Sequence, residues 1–498
     1  MDLIFDILTG GGDEGAPARQ LQVMGALDTD SVPNPADLTW VLVIAALCML
    51  YMAWGIGAND VANSFATAFG ANCLTIHQAC VIAAVCELGG SVLLGGSVSD
   101  TIRKGMMDIK LYAGDEGRVI IMAGMTSVLL AAATWLLVAS KYGLPVSTTH
   151  SAVGGVVAIA VASKGYDSVK WDKVGMIVLS WFVSPALASF VGFCSYAVIK
   201  KMVMQHEDSF RRAKIASPIL VFILMFTVAM FTIYKGAKGI GLDKISTGAA
   251  IGISVAVSLV FAGISYPLMM WHAKNLEAKE AEKEAQKATE EAGTAAEKEK
   301  DPSHAEDVQV QVAEEANVEK VEEGIKFDQK TEMMFKSLVV VIAGFQSLAH
   351  GANDVANSVG PFGAVLAAKD GPLSKKTEIP IWVFFLAGGF IVIGLIMYGQ
   401  QVMRTIGKNI TEVTPSKACC AQWAATLVVL LATRLGLPIS TTHAAVGGVL
   451  GVGLVDGTSA INWRVMVKIF FSWIITLPIC GLAAAGTYAL FLPAVLLG

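Results

Sequence analysis

Two octapeptides carry most of the chemistry. GANDVANS stands at Gly57–Ser64 and recurs, unchanged, at Gly351–Ser358. On a helix, Asn59 and Asn63 share a face because they are four residues apart, with the Asp60 carboxylate beside the first. Gly55, Gly57 and Ala58 loosen the preceding turn, and a local unwinding there would free backbone carbonyls. A carboxylate, amide oxygens and carbonyls are hard ligands suited to a small cation. Asn353, Asp354 and Asn357 repeat the set in the second copy. Small and amide residues also let helices pack closely, but packing alone does not call for an aspartate in both copies.

A second pair of echoes follows. GLPVSTTHSAVGGV begins at Gly143 and GLPISTTHAAVGGV at Gly436, so the offsets between copies are 294 residues (57 to 351) and 293 (143 to 436). Matches in register over such distances mark a duplicated unit. Pro145 and Pro438 interrupt any helix arriving from upstream and suit the first turn of a new one. Ser147, Thr148, Thr149 and Ser440, Thr441, Thr442 would then sit at fresh helix N-termini, where free N–H groups and the dipole favour an anion. A simpler role for such a serine is to cap its own helix. His150 and His443 close the motifs, with three roles open to each: touching the ligand, relaying a proton, or locking the loop by a side-chain hydrogen bond. Gly154–Gly155 and Gly447–Gly448 allow close helix contact. A cation-type cluster with an anion-type helix terminus in each half suits a transporter moving an oxyanion with a cation. An intramembrane hydrolase built on Ser147, His150 and Asp60 fits less well. No nucleophile elbow is present, and an enzyme has no need of the constellation twice.

The elements that position these groups lie in a bilayer. Hydrophobic residues make up 54% of the 498 and charged residues 15%, against about 25% charged in soluble proteins. The pattern predicts an all-α polytopic membrane protein. Twelve apolar runs are expected as spans: Leu38–Ile56, Leu74–Val98, Val119–Ser140, Pro145–Ser163, Val174–Ile199, Ile215–Tyr234, Ser246–Trp271, Met333–Leu348, Ile381–Met403, Ala418–Thr433, Pro438–Val455 and Val465–Leu497. Seven precede the second signature. An odd number turns the second copy over, giving two inverted-topology repeats with broken or re-entrant segments at a midplane site, as in secondary transporters. The organisation expected is a flexible acidic tail (1–37), repeat 1 (38–200), two inserted helices (201–271), an acidic loop (272–332) and repeat 2 (333–498). From Glu277 to Glu332 there are 18 acidic and 8 basic residues. The first part is expected as a solvated helix and the part beyond Pro302 as disordered. Lys200, Lys201, Arg211, Arg212 and Lys214 place the acidic loop in the cytoplasm and the N-terminus outside. The eight cysteines lack metal-ligand spacing and read as free thiols.

GANDVANSFATAFGA at Gly57, GANDVANSVGPFGAV at Gly351 and the two STTH segments together resemble the PiT-type inorganic phosphate transporters, which include the sodium-dependent phosphate symporters. The resemblance covers both membrane halves and implies import of inorganic phosphate by symport with a cation, sodium first and protons as the alternative. It implies no enzyme activity, no cofactor and no nucleic-acid partner. Its partners are membrane lipids, phosphate and the coupling ion, in the plasma membrane, with a homodimer as a candidate assembly. By this resemblance Asp60 and Asp354 hold sodium together with Asn59, Asn353 and Glu87, the last lying in CELGGSVLLG. Phosphate falls to Ser147, Thr148, Thr149, Ser440, Thr441, Thr442, Asn63 and Asn357. Gln422 and Met125 depart from acidic residues of some relatives and leave the coupling ion and its stoichiometry open. A transporter of another oxyanion and a phosphate-sensing receptor without turnover are the remaining alternatives.

Overall fold

The computed structural model describes residues 32–95, 107–234, 245–298, 327–373, 379–434 and 439–497. The tail before residue 32, the acidic stretch 299–326 and Pro438 lie outside the described residues, and with them the readings made for those segments. No strand occurs among the described residues, and ten helices are long and apolar enough to cross a membrane.

The first half runs α1 (Thr39–Asn59), α2 (Ala62–Gly70), α3 (Ile76–Leu94), α4 (Gly114–Lys141), α5 (Thr148–Lys164) and α6 (Trp171–Ile199). Then come α7 (Ser209–Ile233) and α8 (Thr247–Lys298), the latter running from the apolar segment without interruption into the acidic one. The second half is α9 (Gln329–Asp370), α10 (Ile381–Arg404), α11 (Pro415–Arg434), α12 (Thr441–Leu454) and α13 (Trp463–Leu496). The expected count of twelve spans needs correction. With 17 and 14 residues, α5 and α12 reach only about 26 and 21 Å at 1.5 Å per residue, short of a hydrocarbon core of about 30 Å.

Each short helix instead returns to the face from which its hairpin entered. Tyr112, just before α4, meets Ser163 near the end of α5 at 2.9 Å, and Glu116 meets Lys164 at 3.1 Å. At the other hairpin, Lys417 at the start of α11 meets Asp456 just past α12 at 2.6 Å. A hairpin that returns adds no net crossing, so the parity stays odd. With α1–α2, α3, α6, α7 and α8 as crossings, α9 enters from the side opposite to α1. At its far end, α9 gives the Ala368 and Lys369 carbonyls to Arg118, at the start of α4.

The halves are interlocked by exchange. The first helix of each packs on the second of the other, α1 on α10 and α9 on α3, while α5 packs on α13 and α12 on α6. Glycines make these approaches possible. A Cβ added at Gly57 would lie 1.7 Å from the Ile391 carbonyl oxygen, and one at Gly351 would lie 2.3 Å from that of Glu87. Gly154 meets the Leu477 carbonyl and Gly447 that of Pro185 in the same way. Such reciprocal contacts are what a pseudo-two-fold axis requires, and the four motif segments converge on it.

Candidate functional site

The two identical octapeptides fold differently. At the first, the helix breaks between α1 and α2. The Val61 N–H reaches back to the Ile56 carbonyl, and those of Asn63 and Ser64 bond only three residues back, to Asp60 and Val61. At the second, α9 passes through unbroken for 42 residues, despite Pro361. The expected unwinding therefore holds in the first copy alone. In the second, α9 packs against α3 and α11 and stays helical through the motif.

Asp60 and Asp354 meet at the centre, 2% and 5% exposed. Asp60 Oδ2 accepts from Thr148 Oγ1 at 2.6 Å, and Oδ1 from Thr442 Oγ1 at 2.7 Å and from the Asn63 amide. Thr441 Oγ1 stands between the carboxylates, 3.1 Å from Asp60 Oδ1 and 3.3 Å from Asp354 Oδ2. The arrangement crosses the pseudo-axis: Asn63 donates to Thr442 Oγ1 at 3.0 Å, while Asn357 donates to Thr148 Oγ1 at 2.9 Å and to Asp354 Oδ1 at 3.3 Å. Thr149 is a weaker acceptor for Asn357, at 3.4 Å. A buried carboxylate is costly unless well hydrogen-bonded, and hydrogen bonds to a charged group contribute about 1.5–3 kcal/mol each. The threonine hydroxyls thus do for Asp60 what water does outside.

Other expected residues are placed elsewhere. Ser147 and Ser440 cap their own helices, accepting from the His150 and His443 backbone N–H groups. Asn59 turns away from the carboxylates and clamps the loop before α5. Its amide donates to Ser140 Oγ and the Leu144 carbonyl, and its oxygen accepts from the Val146 N–H. Asn353 is half-buried, and most of the segment equivalent to that loop lies outside the described residues. His150 makes no side-chain hydrogen bond; its ring packs on Trp181 and meets His443 at 4.8 Å between centroids, with His443 stacked on Trp473. The two histidines therefore touch each other across the pseudo-axis. Met125 is buried within α4, and Gln422 donates to the Ser64 carbonyl.

Glu87 is fully buried and belongs to a chain that the sequence reading missed. Its Oε1 accepts from Ser347 at 2.8 Å, its Oε2 lies 2.9 Å from His350 Nδ1, and His350 Nε2 lies 2.8 Å from Asp354 Oδ2. His350 carries the Asp354 motif into contact with α3. One sequence signal could have found it. At the 294-residue offset, Gln346, Ser347 and His350 stand where the first half has Met52, Ala53 and Ile56. One carboxylate oxygen from each aspartate and a His350 nitrogen lie within 4.8 Å of one another, close enough to share a cation. The site pairs hard oxygen ligands with hydroxyl donors at two opposed helix N-termini, suited to a small cation beside an oxyanion.

Comparison with known proteins places the chain as a whole. The model of the phosphate transporter family matches residues 56–484, which include every residue of the site. A candidate phosphate permease of Pyrococcus abyssi is 35% identical over 454 residues, covering 90% of this chain and 97% of its own. The chloroplastic inorganic phosphate transporter 2-1 of Arabidopsis thaliana is 36% identical over 435 residues, 86% of this chain and 68% of its own. A solved structure described as the sodium-dependent phosphate transporter superposes with a TM-score of 0.73 at 32% identity, covering 90% of this chain and 98% of its own. With a family model and similar proteins covering most of its length, and ten helices long and apolar enough to cross a membrane among the described residues, the chain belongs to the phosphate transporter family, as an integral membrane protein.

Proposed function

We propose that the protein imports inorganic phosphate by symport with sodium. Sodium is held at Asp60 and Asp354, and phosphate between the N-termini of α5 and α12. The observation that carries this reading is the occupation of the Thr148, Thr441 and Thr442 hydroxyls by the Asp60 carboxylate. An anionic oxygen pair held by those donors stands where phosphate oxygens would be held. A cation bound to Asp60 and Asp354 draws the carboxylates towards itself, frees the hydroxyls and offsets the charge of the incoming phosphate. Cation binding therefore precedes phosphate binding. Thr149, Asn63 and Asn357 complete the donor set, while Ser147 and Ser440 fix the helix termini that present it. The N-terminus lies outside and the acidic segment in the cytoplasm, in the plasma membrane.

Proton-coupled uptake is a second reading, favoured by the Glu87–His350–Asp354 chain. Histidine is the side chain best suited to gain and lose a proton near neutral pH. Uptake of labelled phosphate into proteoliposomes tests both, with an inward sodium gradient set against a proton gradient of equal size. Accumulation under sodium alone supports the first reading. Accumulation under protons alone replaces it with the second, and phosphate binding without accumulation makes the protein a receptor.

A further inference from the structure

The loop at the tip of the first hairpin, residues 140–146, joins α4 to α5 and is gripped along its whole length. Its second arm is held close to the site. Asn59 of α1 takes the Leu144 carbonyl and the Val146 N–H, Trp473 of α13 donates to the Pro145 carbonyl, and Thr442 of α12 donates to that of Val146. Its first arm is held from α10 instead. Thr405 Oγ1 gives its one proton to the Gly143 carbonyl at 2.7 Å, nearer than the Gln401 carbonyl of its own helix at 3.3 Å. With its amide nitrogen turned to the loop, Gln401 donates to the Ser140 and Lys141 carbonyls at 2.9 and 2.6 Å. Gly143 has a φ of +64°, and a Cβ added there would stand 3.1 Å from Thr405 Oγ1, so the chain turns directly under that hydroxyl.

The end of α10 is itself irregular. It continues into a π-helical turn, Thr405–Asn409, a rare form found mostly at functional sites. That turn lies in backbone contact with α2. A Cβ added at Gly407 would be 2.0 Å from the Ala66 carbonyl oxygen, and one at Gly70 would be 2.0 Å from that of Gly407. The wide turn therefore touches both the short helix after the Asp60 break and the hairpin tip. Its place in the fold gives this contact a meaning. α10 ends on the face that carries the acidic segment, whereas the first hairpin enters from the opposite face, so the tip is the part of the hairpin nearest the acidic side. The wall there is one loop thick. Tyr142 is 72% exposed, Val146 four residues on is fully buried, and Thr148 two residues further already donates to Asp60.

We propose that Thr405 and Gln401, at the π-helical end of α10, are positioning residues that latch the hairpin tip shut between the phosphate cradle and the acidic-segment face. The inference rests on the reading of the protein as a phosphate transporter and adds the point at which phosphate leaves it. The two arms of the loop divide the work. Asn59, Trp473 and Thr442 hold the arm that runs into Ser147 and fix the helix N-terminus that presents the threonines. Thr405 and Gln401 hold only the arm that returns to α4. Breaking their bonds swings the apex away from α10 about Pro145 and opens the wall, while the cradle keeps its own contacts.

The test combines two rates measured on the purified full chain. Protein loaded with radiolabelled phosphate in sodium is diluted into unlabelled phosphate and its release is timed, and hydrogen exchange of the loop amides is followed without phosphate. Thr405→Val and Gln401→Leu remove the donors at nearly constant size, and Thr405→Ser keeps the hydroxyl. Each donor-deleted variant should release phosphate about fivefold faster, the effect of losing one ordinary hydrogen bond. Exchange of the Tyr142–Val146 amides should rise by a similar factor, with exchange in the middle of α10 and α13 unchanged. Thr405→Ser should stay within about twofold of wild type on both readouts. Wild-type release and wild-type loop exchange in both Thr405→Val and Gln401→Leu would overturn the latch. So would faster exchange spread evenly over α10 and α13, which marks a general loss of packing. A wild-type protein that binds no phosphate overturns the transport reading instead, and the loop exchange still decides whether the latch exists.

Discussion

Asp60 and Asp354 occupy the same place in two identical octapeptides, yet they are held by different chemistry. Asp60 lies at a helix break and accepts from hydroxyls on both hairpin tips, Thr148 of one half and Thr441 and Thr442 of the other. Asp354 lies in an unbroken helix and is braced by His350, which Glu87 holds from α3. At the matching interface of α1 with α10, the pair corresponding to His350 and Glu87 is Ile56 and Ile391, both fully buried and apolar. Duplication therefore supplied a symmetric scaffold, and divergence outside the octapeptides gave its two aspartates unlike partners. Asp60 is held by three threonine hydroxyls, whereas Asp354 shares only Thr441 with that set, accepts from Asn357 and leans on the His350–Glu87 pair as well. Under the proposed function the difference suits coupling, because Asp60 has the more hydroxyl partners to give up.

The largest expected effect breaks the shared part of this comparison. Asp60→Asn and Asp354→Asn should each lower sodium-driven phosphate accumulation by roughly 100-fold or more, a loss of about 2.7 kcal/mol. Retention of gradient-driven accumulation in either variant would remove that aspartate from the coupling site. Next comes the scaffold. Gly57→Ala and Gly351→Ala drive a methyl into the backbone carbonyls of Ile391 and Glu87 and should each destabilise by about 1–3 kcal/mol or more. Gly389→Ala, with nothing within 4 Å of the added atom, is the control, and thermal unfolding of the purified protein reads all three. Equal stability of the three would dissolve the reciprocal packing.

A sharper cut imposes the first half's chemistry on the second. His350→Ile alone leaves Glu87 buried with only the Ser347 hydroxyl and no imidazole, and should cost about 3–5 kcal/mol. The double change Glu87→Ile with His350→Ile, which copies the apolar interface, should recover most of that loss in the same melting assay. A double variant no more stable than the single one would mean that the two interfaces are not equivalent scaffolds.

The smallest effect lies at the face carrying the acidic segment. The Asp456 carboxyl is pushed up by burial but more strongly held down by hydrogen bonds to Lys200 and Lys417, leaving it below its ordinary value. A depressed carboxylate stabilises the fold above its unfolded value and ceases to do so as pH falls through its folded one. Asp456→Asn should therefore lower the melting temperature slightly at neutral pH, with the difference fading as pH falls through the depressed folded-state value.

Much of this was legible in the residues. GANDVANS and STTH repeat at offsets of 294 and 293, so the duplication and the residues at its centre follow from the sequence alone. Two features were legible only in part, for physical reasons. Broken or re-entrant segments were expected, but hydropathy counts α5 and α12 as full apolar runs, and their lengths with the Tyr112–Ser163 contact are what assign the returning hairpins. Identical octapeptides also predict identical backbones, whereas the helix breaks in the first copy and continues through the second. The Glu87–His350 contact joins residues 263 apart. Its trace in the sequence is a polar residue where the other repeat is apolar, visible once the repeats are compared beyond their identical core.

The central claim is that the threonine hydroxyls pass from Asp60 to phosphate when a cation binds. The most direct test measures phosphate binding to the purified protein, with and without sodium, in wild type and in Asp60→Asn. Wild-type affinity should rise by roughly tenfold or more on adding sodium, while Asp60→Asn should bind phosphate almost equally well with sodium or without it. Loss of phosphate binding in Asp60→Asn under both conditions, or an undiminished sodium effect, would contradict the exchange.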